Sequence, residues 1–144
     1  MKHTYIYAKE KHWRRSWQKF LARKNNIILM DINKDLKLSI QKMAEVLKRG
    51  KNLIIFPEGT RSKDGKLGEL KKTFAILSQE LNVPVVPVSI RGGHKIMPVG
   101  AKFPKLFRKV SVKFNKPVYP KNLSTDNIVE KVQEILLKQL KAAS

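Results

Sequence analysis

Glu58, Gly59, Thr60 and Arg61 stand in a row just after the apolar run Leu53 to Phe56, with only Pro57 between. An arginine guanidinium is the side chain best shaped for bidentate binding of a phosphate, and a neighbouring glycine lets backbone amides approach a ligand closely. The row is therefore a candidate phosphate-binding loop. The same spacing allows a second reading, in which Glu58 and Arg61 only pair with each other in a solvated segment. The sequence has no cysteine, which excludes disulfides, thiol nucleophiles and cysteine-ligated zinc and suits a reducing compartment.

The elements that must position this loop follow from periodicity. Thr4 to Ala8 alternates as a short strand. Lys9 to Lys24 reads as a helix with Trp13, Trp17, Phe20 and Leu21 on one side and a crowd of lysines and arginines on the rest. Its aromatics suit either a protein core or the headgroup level of an anionic bilayer, and its cations suit the bilayer. Ile27 to Met30 is a continuous apolar strand. Asp35 is the expected N-cap of a helix that turns Leu36, Ile40, Met43, Ala44 and Leu47 to one face and closes at Gly50. Leu53 to Phe56 lacks alternation and predicts a strand buried on both faces.

The loop from Pro57 to Gly68 comes directly off that strand. A helix over Glu69 to Leu81 follows, then a strand over Val85 to Ile90, an irregular stretch from Gly92 to Pro104, and a strand over Val110 to Phe114. Extended chain through Pro117 and Pro120 leads to a last helix with Asp126 as its cap. The alternation of strand and helix predicts an α/β fold, a mainly parallel or mixed sheet with helices packed on its faces. Ligands of such folds bind beyond the carboxyl ends of the strands, where the row from Glu58 to Arg61 lies.

At 144 residues and 42% hydrophobic composition, the chain predicts one domain, residues 1–144, with a core of its own. Its charge is one-sided: 31 lysines and arginines oppose 11 aspartates and glutamates, for a formal charge of +20. Such a field attracts nucleic acid or the anionic face of a membrane. No zinc-finger spacing, aromatic RNA-recognition motif or helix-turn-helix pattern supports nucleic acid. The apolar runs are too short or too broken by proline to span a bilayer, so a lipid substrate is expected to be met from the surface, by a cytoplasmic protein peripheral to the membrane.

The segment Phe56-Pro57-Glu58-Gly59-Thr60-Arg61-Ser62 resembles the third signature block of the 1-acylglycerol-3-phosphate acyltransferase family. The resemblance continues through Lys63-Asp64-Gly65 and the Lys71-Lys72 pair, and Val83-Pro84-Val85-Val86-Pro87-Val88 is similar to the family's fourth block. By overall pattern it runs from about Tyr5 to Pro120. The wording is closest to the acyltransferase part of bacterial fusions with an acyl-CoA or acyl carrier protein synthetase. The resemblance implies transfer of an acyl group from an acyl-CoA or acyl carrier protein thioester to a hydroxyl of a lysophospholipid or glycerol phosphate, with no metal and no other cofactor. It implies that Glu58, Gly59, Thr60 and Arg61 hold the acceptor's glycerol phosphate, that Lys71 or Lys72 adds positive charge, and that Pro84 and Pro87 shape the acyl side of the pocket.

Two departures accompany the resemblance. The family's second block, an apolar run ending in Asp-Arg, stands here as Ile28-Leu29-Met30-Asp31-Ile32, with Lys34 as the nearest substitute for the arginine. The family's general base is a histidine oriented by an aspartate five residues later. Here Ala8 follows His3 at that distance, Trp17 follows His12 and Val99 follows His94. His12, among cations, reads as a solvated surface histidine, and His94 has no neighbouring aspartate. The expected place of the motif lies upstream of Met1. The sequence thus predicts an N-terminally truncated domain without catalytic residues of its own, completed by an upstream polypeptide that supplies histidine and aspartate, or else acting as a non-catalytic lipid-binding fragment.

Overall fold

A computed structural model describes residues 4–9, 20, 22, 24–30, 35–96, 98–101, 103, 105 and 107–141. The chain divides into two compact units, Met1–Phe56 and Pro57–Ser144. In the first, β-branched and aromatic residues give strand β1, Thr4–Lys9, and the apolar run gives β2, Ile27–Met30. β1 lies between β2 and β3, Asn52–Ile54, and both pairings are parallel. Ile6 sits opposite Ile27 on one side and Ile54 on the other, so β-branched side chains line up across the sheet.

Parallel strands need a crossover, and helix α1, Leu36–Lys48, provides it between β2 and β3. The Asp35 carboxylate caps its start by accepting the Leu38 N–H at 2.8 Å. Its end is a Schellman turn: Lys51 N–H donates to the Val46 carbonyl and Gly50 N–H to that of Leu47, with Gly50 at φ +67°. The expected face is covered in part, with Ile40, Ala44 and Leu47 half-buried around Met43. Ser39 and Met43 are buried while Leu36 is exposed. Ser39 Oγ donates to the Asp35 carbonyl at 2.8 Å, so its hydroxyl is satisfied locally and the small side chain can be covered.

β3 also corrects an expectation. It ends at Ile54 rather than Phe56, and both side chains are exposed rather than covered on two faces. Among the described strands β3 pairs only with β1 and is an edge. Of the helix expected over residues 9–24, Trp13, Trp17 and Leu21 lie outside the described residues. Phe20, Ala22 and Lys24 are helical. Ala22 is buried and Phe20 exposed, with the Lys24 ammonium 4.8 Å from the Phe20 ring centre.

In the second unit, helix α2 runs over Thr73–Leu81, four residues later than its periodicity suggests. The Lys71 N–H donates to the Pro57 carbonyl at 3.0 Å, which ties the chain before the helix to the start of the loop. Leu70, Phe74 and Leu77 are buried as expected. The strand predicted over residues 85–90 is interrupted: Val85 bridges Val118, Pro87 contributes no N–H, and the regular strand β4 is Val88–Arg91. A short helix α3, Gly93–Ile96, precedes β5, Ser111–Phe114, which runs antiparallel to β4.

The last helix, α4, Thr125–Lys141, buries Ile128, Val132 and Leu136. Ser124, rather than Asp126, caps it: Ser124 Oγ accepts the Asn127 N–H at 3.2 Å and the Ser124 carbonyl accepts that of Ile128. At its other end the Arg91 guanidinium donates to the carbonyls of Gln139 and Leu140, placing a cation where the helix dipole is negative. Parallel strands joined through α1, with an antiparallel pair in the second unit, make this an α/β fold with a mixed strand arrangement.

Candidate functional site

The loop of residues 57–68 belongs to the second unit and is held by its own side chains. The Glu58 carboxylate reaches ten residues along the chain and accepts the Gly68 N–H at 2.8 Å. Between these ends, Ser62 Oγ donates to Asp64 Oδ1 at 3.1 Å and accepts the Gly65 N–H at 2.8 Å, while Asp64 Oδ1 accepts the Lys66 N–H at 3.0 Å. This is a side-chain-mediated turn of the kind that serine and aspartate favour. The Lys66 amide, and then the Ser62 hydroxyl and the Lys66 charge, hold the Asp64 carboxyl below its ordinary value.

The loop is also pinned from α3. A Cβ built on Gly65 would stand 2.4 Å from His94 Cε1 and 2.6 Å from Nδ1, and Gly65 itself has φ +82°. The left-handed backbone therefore favours glycine there, and a side chain would also have to displace the His94 ring. The His94 imidazole thus stands close against the Gly65 backbone. Nothing in the sequence pattern alone connected His94 to residue 65, 29 positions earlier. The glycines of the loop were the available signal, since each marks either a turn or a close approach.

The expected binding residues separate into distinct roles. Gly59 turns the chain at φ +66°, and Thr60 and Arg61 are exposed on the loop. Glu58 is directed at its own loop's backbone. Lys71 is exposed, and its amide is bonded to Pro57, the residue before Glu58. Lys72 is engaged elsewhere: its ammonium lies 2.7 Å from Asp126 Oδ1 in the first turn of α4, and that hydrogen bond raises its pKa. Pro84 is exposed, whereas Pro87 is buried and its carbonyl accepts both the N–H and the Nδ2 of Asn115, at 3.0 and 3.1 Å.

His3, His12, Asp31, Ile32 and Lys34 lie outside the described residues. Among the described residues no cluster of three or more histidine, aspartate or glutamate side chains could hold a metal ion. No described helix is long and apolar enough to cross a membrane.

The chain is similar to known proteins. The crystal structure of the 1-acyl-sn-glycerophosphate (LPA) acyltransferase PlsC from Thermotoga maritima superposes with a TM-score of 0.78 at 30% identity, over 98% of this chain and 58% of that one. A chloroplastic 1-acyl-sn-glycerol-3-phosphate acyltransferase of Brassica napus is 41% identical over 80 residues, which are 56% of this chain and 23% of the relative. A 1-acyl-sn-glycerol-3-phosphate acyltransferase of Limnanthes douglasii is 31% identical over 73% of this chain and 40% of its own. The chain thus spans less than half the length of these curated relatives. The model of the Acyltransferase family matches residues 1–91, which include β1 to β3 and the whole loop with Arg61. The chain belongs to the Acyltransferase family.

Proposed function

We propose that this chain is the acceptor-binding part of an O-acyltransferase of phospholipid synthesis. It would receive a lysophospholipid or glycerol phosphate whose hydroxyl takes an acyl group from an acyl-CoA or acyl carrier protein thioester. The observation that carries the reading is the division of labour in the loop of residues 57–68. The one carboxylate of the Glu58 to Arg61 row is tied to the Gly68 amide, and Arg61 stands exposed on the same loop. The Arg61 guanidinium has the planar fork that a phosphate engages bidentately. Gly59 and Thr60 offer backbone and hydroxyl donors beside it, and Lys71, rather than Lys72, adds charge near the loop's start. Pro84 and Pro87 shape the acyl side through the bend before β4.

In the transfer itself the acceptor oxygen bonds to the thioester carbonyl carbon, the carbon–sulfur bond breaks, and the hydroxyl proton passes through a base to the departing thiolate. No histidine of this chain is followed five residues on by aspartate, so the base is assigned to an upstream polypeptide. This chain would work at an anionic membrane surface on the cytoplasmic side. Nucleic acid is the disfavoured partner for its charge.

The test is acyl transfer to 1-acylglycerol 3-phosphate from acyl-CoA and from acyl carrier protein, by this chain alone and co-expressed with an upstream polypeptide carrying His-x4-Asp. Activity is expected only in the combination, and Arg61→Ala should lower it on the order of a hundredfold. Binding of lysophospholipid without transfer in any combination would leave the chain a non-catalytic lipid-binding fragment. Full activity in Arg61→Ala would remove the loop from the reaction.

A further inference from the structure

The chain between α3 and β5 combines features that a globular surface ordinarily avoids. Phe103 is 81% exposed and Phe107 fully so, at 102%. Phe107 also has φ +60°, a left-handed backbone that a bulky side chain rarely adopts, and the result is a phenyl ring held out in water. Lys105, Arg108 and Lys109 are exposed beside these rings. The Lys105 N–H donates to the Ile96 carbonyl at 2.8 Å, and the Ala101 N–H to that of Pro98 at 3.1 Å, so the projection has a defined root. Its charge has one sign: residues 81–125 contain nine lysines and arginines and no aspartate or glutamate.

We propose that Phe103 and Phe107 dock this chain on a bilayer, entering the headgroup boundary of an anionic membrane while Lys105, Arg108 and Lys109 bind lipid phosphates. This deepens the membrane-surface reading above by naming the surface. Aromatic rings at the headgroup level with cations around them are the chemistry that an interfacial anchor requires. Charge complementarity selects the occupant. A second copy of this chain would bring another net charge of +20 against the same cations, whereas an anionic bilayer brings the opposite sign and an apolar interior for both rings.

The test uses the full chain, which has no cysteine, so Phe107→Cys carries an environment-sensitive fluorophore at a unique site and Glu134→Cys on α4 serves as a second position. The probes are vesicles of phosphatidylcholine alone and of phosphatidylcholine with phosphatidylglycerol. With the anionic vesicles the label at 107 should brighten, shift to the blue and be quenched by brominated lipid, while the label at 134 stays in water. Phe103→Ser with Phe107→Asn should weaken partitioning at least about tenfold. Asparagine tolerates the left-handed backbone, and both rings are exposed, so the melting temperature should not fall. Replacing Lys105, Arg108 and Lys109 by serine should cost about fivefold per cation on anionic vesicles only.

Binding with a silent label at 107 would overturn the loop assignment and leave the membrane-surface reading standing. Absence of binding to both vesicles would overturn both. A blue shift that grows with protein concentration without lipid would give the loop to self-association. A response to an RNA probe but not to vesicles would give it to nucleic acid.

Discussion

Glu58 offers the sharpest test of how the loop is built, because its carboxylate makes one defined bond, to the Gly68 N–H at 2.8 Å, across an 11-residue segment. A hydrogen bond to a charged acceptor contributes about 1.5–3 kcal/mol, and exposure reduces this toward the lower end. Glu58→Ala should therefore raise the population of the open loop by about 1.5 kcal/mol, which is roughly tenfold. Glu58→Gln keeps a carbonyl acceptor of the same length and should lose about 0.5 kcal/mol, roughly twofold. Native-state hydrogen exchange at the Gly68 amide reads this opening directly. The amides of α4 serve as the internal standard, since Ile128, Val132 and Leu136 are buried. The expected order of exchange rates at Gly68 is wild type, Gln, then Ala. Equal exchange in all three would refute the tether, and with it the claim that this carboxylate is structural rather than a ligand contact.

Other expectations concern neighbouring contacts. Gly65→Ala should destabilise by about 1–2 kcal/mol from the left-handed backbone and by a smaller amount, of order 0.5–1.5 kcal/mol, from displacing the His94 ring. In a double-mutant cycle His94→Ala should return only the second part, and strict additivity would show that the imidazole does not occupy that space. Ser124→Ala removes the cap of α4 and should cost about 1 kcal/mol, a fall of about 2–4 °C in melting temperature, whereas Asp126→Ala should leave the cap intact. The Asp64 carboxyl is held below its ordinary value of 3.8, so its contribution to stability is present above the unfolded value and is lost as pH falls through the folded one. A carbon-detected titration should place its midpoint below 3.8, with the Lys66 amide shifting in step.

The sequence carried the elements whose signals are local. Asp35 and Gly50 bracket α1 because a carboxylate cap and a glycine exit act within a turn of the helix. The apolar run of β2 likewise stands where its composition puts it. The misplacements came from tertiary bonds that propensity does not encode. The apolar periodicity from Leu70 onward argues for helix from residue 69, but the Lys71 amide is bonded to Pro57, and α2 waits until Thr73. Asp126 has the composition of a cap, yet Ser124 makes the cap and Asp126 turns to Lys72.

The loop shows the same division. That the row from Glu58 to Arg61 could bind phosphate is legible from residue type. That Glu58 folds onto Gly68, that Lys72 is occupied by α4, and that His94 covers Gly65 depend on contacts 10 to 54 residues apart in the chain.

The central claim is that the loop of residues 57–68 grips the phosphate of the acceptor through Arg61, and titration of the full chain with glycerol 3-phosphate, followed at the amides of Gly59, Gly65 and Gly68, tests it most directly. Saturable shifts at these amides are expected, abolished in Arg61→Ala, weakened in Lys71→Ala and preserved in Lys72→Ala. Shifts that survive Arg61→Ala unchanged, or that vanish equally in Lys72→Ala, would contradict the account.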